Sequence, residues 1–147
     1  MRIIDTPSRL TSFSEQQYNL RIMSSVKRYL KKSPPDIVLY FDRLDMQCRD
    51  YGDLLLLHII TDMLGSAIWY NAIVVVTHGS SPLPDGANGS PFSYELFVAQ
   101  RSHVVQQTIR QAAGDMRLVN PVSLVENHVA CELNKAGDSD LPHPSDA

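Results

Sequence analysis

Asp36-Ile37-Val38-Leu39-Tyr40-Phe41 is an unbroken apolar run of strand length, set directly after Pro34-Pro35. Such a run suits a strand buried on both faces, as in a parallel sheet. Two similar runs follow, residues 68–77 with Ile73-Val74-Val75-Val76 at their centre, and residues 121–125. The stretches between them have helical spacing. Ser14-Glu15-Gln16-Gln17 resembles a capping box and predicts a helix to about Lys32, with Tyr18, Ile22, Val26 and Tyr29 on its inner face. Pro34-Pro35 ends it. Residues 53–64 predict an apolar helix closed by Gly65. Residues 92–113 predict a longer one, with Phe97, Val104, Val105, Ile109 and Ala112 facing inward. Upstream, Arg2-Ile3-Ile4-Asp5 reads as a short strand ending in an Asp-Thr-Pro turn. Strands alternating with helices argue for an α/β domain with a mostly parallel sheet.

The 147 residues suffice for one domain with a core, and 44% apolar against 20% charged is an ordinary globular balance. A net charge of −3 carries no nucleic-acid footprint. The basic run at Lys27, Arg28, Lys31 and Lys32 reads as a solvated helix face. Cys48 and Cys131 stand far apart without metal-ligand spacing, and read as free thiols. No apolar stretch is long enough to span a bilayer. No Gly-x-Ser-x-Gly elbow supports a hydrolase of the serine type. From Gly137 the composition turns to Asp, Ser and Pro, which predicts a disordered tail over residues 137–147 after a domain of residues 1–136.

In open α/β sheets, ligands bind beyond the carboxyl ends of the strands. Three polar groups fall there. Asp5 offers a carboxylate for a magnesium-bound water. His78, after Thr77, offers an imidazole that can stack on a purine. Glu126, before Asn127, offers a carboxylate that can accept from guanine N1–H and the 2-amino group. The order along the chain runs from the phosphate end of a nucleotide to its base. Each of these groups alone reads equally well as an ordinary polar strand end.

The segment from Pro34 to Asp45, together with Ala67-Ile68-Trp69-Tyr70-Asn71, Gln100-Arg101-Ser102-His103-Val104, Ala112-Ala113-Gly114-Asp115-Met116 and Asn120-Pro121-Val122-Ser123-Leu124-Val125-Glu126-Asn127-His128, resembles the Toc GTPases. These are preprotein receptors of the chloroplast outer envelope, with a G domain of the AIG1 type, related to septins. The resemblance is to the large Toc159-type receptors rather than the small ones, and covers about residues 2–142. It implies an incomplete P-loop GTPase fold, GTP or GDP and Mg2+ as ligands, and a place in protein import on the cytosolic face of the envelope. It places the guanine-reading residues at His78, Glu126 and Asn127 and the magnesium-side aspartate at Asp5. Pairing with other Toc GTPases, in homo- or heterodimers, and contact with chloroplast preproteins are implied too, with Arg49 the nearest match to an arginine at the dimer interface.

The sequence departs from the family in three places. It contains no Gly-x-x-x-x-Gly-Lys-Ser/Thr loop, so the first strand and the phosphate cradle are expected to be missing. Ser8 stands where a glycine would let the backbone approach the terminal phosphate. The chain diverges after Leu141-Pro142. Nucleotide binding and GTP hydrolysis are therefore expected to be impaired, with no measurable hydrolysis by this chain alone. Backbone groups left unpaired by the missing strand would cost about 1–3 kcal/mol each, against a typical stability of about 5–15 kcal/mol, so a marginal or aggregation-prone fold is expected. Two alternatives remain open: a nucleotide-free interaction module that pairs with full-length Toc receptors, soluble in the cytosol, and a non-functional truncated product.

Overall fold

The computed structural model describes residues 1–7, 16–45, 51–83 and 93–126. Its elements run α1 (Gln16–Leu30), β1 (Val38–Arg43), α2 (Tyr51–Leu64), a 3-10 helix (Ser66–Asn71), β2 (Ala72–Thr77), α3 (Tyr94–Ala113) and β3 (Val122–Leu124). The three strands form one sheet in the order β1-β2-β3. The alternation of strand and helix read from the sequence is present in the fold.

The chain divides into two compact units. The first comprises residues 1–38, 49–71 and 108–118, the second residues 39–48, 72–107 and 119–147. In the first unit α1 packs on α2. Its buried side chains are Asn19, Met23, Leu56, Leu57, Ile60, Trp69, Ile109, Ala112 and Leu118. Trp69 is fixed by a relay: its indole Nε1 donates to Thr61 Oγ1 at 2.8 Å, and Thr61 Oγ1 donates to the Leu57 carbonyl, also at 2.8 Å. Gly65 ends α2 with φ at +88°, a conformation that disfavours a side chain, and its N–H donates to the Thr61 carbonyl at 2.7 Å.

In the second unit β2 is the central strand, and Ala72, Val74, Val75 and Val76 are buried. It pairs with β3 in parallel, with Val74 opposite Val122 and Val76 opposite Leu124. Asn120 fixes this register: its Nδ2 donates to the Ala72 carbonyl at 2.9 Å, while its own carbonyl accepts from Gln106 Nε2 at 2.6 Å. One step on, Val74 N–H donates to the Pro121 carbonyl.

Several sequence expectations are corrected. Residues 2–5 are not a strand. Ile3 is 77% exposed, and no strand among the described residues pairs with it; β-structure requires such a partner, whatever the local composition. The segment instead follows α1, where the Arg2 guanidinium stands over the Tyr29 ring, 5.7 Å from its centroid, and donates to Ser33 Oγ. The inner face of α1 is marked by Asn19 and Met23, whereas Tyr18 and Tyr29 are exposed. Val104 of α3 is exposed too. Residues 68–71, expected as the front of β2, belong instead to the 3-10 helix Ser66–Asn71. Finally, β1 is not buried on both faces. Tyr40 is buried, but Leu39 and Phe41, which point to the opposite face, are 52% and 60% exposed.

Candidate nucleotide-binding edge

Parallel pairing of β2 with β3 brings the residues that follow them side by side. Val125 N–H donates to the Val76 carbonyl at 2.8 Å, and Gly79 N–H to the Val125 carbonyl at 3.4 Å. His78 and Glu126 therefore leave adjacent strands at the same edge. Asn127 and Arg49, like Ser8 and both cysteines, lie outside the described residues. Asp5 is exposed and belongs to the first unit, where it lines a groove with Ile4, Arg21, Ile22, Val26 and Tyr29. It stands at no strand end, contrary to the expectation. The structure thus brings two of the expected residues together, His78 and Glu126, within the second unit.

His78 has φ at +61°, in the left-handed region. This conformation costs a side-chain-bearing residue about 1–2 kcal/mol, and such strain persists where its surroundings enforce it. Those surroundings are visible on both sides. Before it, Thr77 Oγ1 donates to the Asp42 carbonyl at 3.0 Å, and Leu44 N–H donates to the Thr77 carbonyl at 2.9 Å. After it, Ser81 N–H donates to the His78 carbonyl at 3.1 Å. The Thr77 hydroxyl has one proton, which goes to Asp42. The 2.9 Å contact with the imidazole therefore runs from His78 Nδ1–H to Thr77 Oγ1, and this fixes the ring's tautomer.

Glu126 is engaged by the loop after β2. Ser80 gives it two hydrogen bonds, from N–H at 3.0 Å and from Oγ at 2.6 Å, both to Oε2. Tyr94, at the start of α3, donates its hydroxyl to the Gly79 carbonyl at 2.6 Å. Partial burial, and secondarily the Glu126 charge, push the Tyr94 phenol up from its ordinary value.

The ends of β1 are ordered by arginines. Arg101 of α3 is only 8% exposed; its Nη2 donates to the Arg43 carbonyl at 3.2 Å and stands 3.6 Å from Asp42 Oδ2. Its Nε has no hydrogen-bond partner among the described residues. Arg43 grips Asp45 with two bonds, Nε to Oδ1 at 2.9 Å and Nη2 to Oδ2 at 2.6 Å. The Arg43 hydrogen bond holds the Asp45 carboxyl below its ordinary value, and the nearby His78 acts in the same direction. A lowered folded pKa means that the pair's stabilisation is present above the unfolded carboxylate range and is lost as pH falls through the lower folded value. Because the pair is largely exposed the effect is small. Wild type and Asp45→Asn are expected to melt slightly apart near neutral pH and to converge in strong acid; a gap independent of pH would contradict the pairing.

Ser80, Tyr94 and Arg101 were not singled out from the sequence. For Arg101 a signal exists: it precedes Val105 and Ile109 at intervals of four on the stripe that α3 buries.

A magnesium ion in a nucleotide site is held by one or two carboxylates together with phosphate oxygens. Asp5 supplies a single carboxylate, and among the described residues no group of three or more His, Cys, Asp or Glu is arranged to hold a metal. These residues do not by themselves make a magnesium site. The base end is better provided, since a carboxylate and an imidazole at adjacent strand ends suit a guanine.

No protein-family model matches the chain. Curated relatives do. It is 69% identical over 143 residues to translocase of chloroplast 108 from Physcomitrium patens, covering 97% of this chain and 14% of that protein. It is 63% identical over 143 residues to translocase of chloroplast 120 from Arabidopsis thaliana, again over 97% of this chain, and 13% of that one. The chain belongs to the Toc translocase family. Its fold is that of a Toc G domain: Toc33 from Arabidopsis thaliana, crystallised with Mg2+ and GMPPNP, superposes with a TM-score of 0.79 at 28% identity, over 94% of this chain and 56% of Toc33. The same TM-score is found for a dimerization-deficient mutant of Toc33. The chain spans about one seventh of the length of translocase 108, and just over half of the Toc33 chain. Among the described residues no helix is long and apolar enough to cross a membrane.

Proposed function

We propose that this chain carries the guanine-reading end of a Toc GTP-binding site, in a receptor component of protein import at the chloroplast outer envelope. The observation that carries the reading is the pair His78 and Glu126 at the ends of adjacent parallel strands, with Glu126 oriented by Ser80. Glu126 accepts from guanine N1–H and the 2-amino group, the imidazole of His78 stacks on the purine, and Asn127 completes the base contacts. GTP and GDP are the ligands, and magnesium enters only with their phosphates. Without a phosphate cradle in the sequence, GTP hydrolysis by this chain alone is expected to be unmeasurable, since that reaction depends on positioning and charge stabilisation at the phosphates. The partners are other Toc GTPases, met through a face that includes Arg49, and chloroplast preproteins, on the cytosolic side of the envelope.

Calorimetric titration with GDP and magnesium tests the proposal. Binding in the micromolar range is expected, weakened about 10- to 100-fold in Glu126→Ala, as for loss of a hydrogen bond to a charged group. Absence of binding by folded protein, or affinity unchanged in Glu126→Ala, would overturn it. The first result would favour a nucleotide-free module that pairs with Toc receptors.

A further inference from the structure

The loop after β2 is held at three points that the base contacts alone do not require. Tyr94 holds the Gly79 carbonyl at 2.6 Å, Gly79 N–H reaches the Val125 carbonyl, and Ser80 binds Glu126 through both its N–H and its hydroxyl. Both Ser80 bonds end on one oxygen, Oε2. A carboxylate can accept about four hydrogen bonds, two on each oxygen, so the two from Ser80 occupy Oε2 and thereby fix the direction of Oε1. Recognition of N1–H and the 2-amino group demands such orientation, because the two donors lie in the plane of the base and meet a carboxylate only when the planes agree. A glutamate has three rotatable side-chain torsions, and a carboxylate left to rotate would hold one donor as readily as two.

We propose that Ser80 is a specificity-determining positioning residue: by clamping Glu126 Oε2 it sets the carboxylate plane that distinguishes guanine from a purine lacking the 2-amino group. The inference rests on the guanine-site reading above. Tyr94 acts one step further out, holding Gly79 and thereby the Ser80 backbone.

The test compares GDP with inosine diphosphate, which differs only in the missing 2-amino group. Wild type is expected to prefer GDP by about tenfold or more, the scale of a good bidentate contact to a base edge. In Ser80→Ala, which removes the hydroxyl bond and keeps the backbone N–H bond, the ratio is expected to fall severalfold, with inosine diphosphate affinity changed less than that of GDP; Ser80→Thr, which keeps the hydroxyl, restores it. Tyr94→Phe is expected to lower the ratio partway. A ratio unchanged in Ser80→Ala, with GDP still bound, would overturn the role of Ser80 and leave the guanine site standing. No GDP binding by the wild type would overturn both. Hydrogen exchange at the Ser80 amide of the ligand-free chain reads the clamp separately: it is expected to speed up in Glu126→Ala, and an unchanged rate would show that the clamp does not form.

Discussion

Replacement of Trp69 by alanine is expected to cost about 3–5 kcal/mol of folding stability, the range for deleting a large buried aromatic side chain. Trp69 is 1% exposed and sits in the 3-10 helix that links α2 to β2. Its indole N–H is fixed on Thr61, which is itself fixed on the Leu57 carbonyl. The substitution thus removes both the filling of the first unit's core and the bond that ties the 3-10 helix to α2. Set against a typical total of about 5–15 kcal/mol, the loss brings the variant close to unfolding. Because Trp69 is the sole tryptophan, the transition should be followed by far-ultraviolet circular dichroism in urea. Trp69→Phe should fall in between, keeping much of the apolar area and losing about 1 kcal/mol with the hydrogen bond. An alanine variant within about 1 kcal/mol of wild type would contradict this packing.

Arg101→Ala is expected to be nearly as damaging, at about 3–5 kcal/mol, the cost of breaking a buried ion pair by removing one partner. Arg101 and Asp42 are 8% and 12% exposed, so the carboxylate left behind is poorly hydrated, and the Arg43 carbonyl loses its donor as well. The double variant Arg101→Met with Asp42→Asn removes both charges and should recover part of the loss, because no charge of the pair is then left without its counterpart. No recovery, or a mild effect of Arg101→Ala, would mean that the pair does not organise the end of β1.

The alternation of elements was legible because each helix and the core strands have their own apolar spacing, most clearly Ile73-Val74-Val75-Val76 and the stripe of Val105, Ile109 and Ala112. Composition misled where partners decide. Ile3 and Ile4 have the make-up of a strand but stand beside no strand among the described residues, so they lie along α1. Residues 68–71 read as part of a strand, yet Trp69 donates to Thr61, and a 3-10 helix puts it there. On α1 the stripe that is buried begins with Asn19, a polar residue that an apolar pattern passes over. His78 and Glu126 were legible as polar residues at strand ends. Ser80 was not: its role comes from a fold that brings it to a carboxylate 46 positions away. The resemblance to the Toc GTPases, read from residues 34–45 and 120–128 among others, is matched by both the relatives and the fold.

The central claim is that His78 and Glu126, at the ends of adjacent parallel strands, read the base of a guanine nucleotide. Calorimetric affinities for guanosine, GMP and GDP, measured side by side with magnesium, test it most directly. The account predicts that all three bind, and that adenosine binds at least about tenfold more weakly than guanosine, a difference of about 1.4 kcal/mol. Guanosine and adenosine binding alike would contradict it.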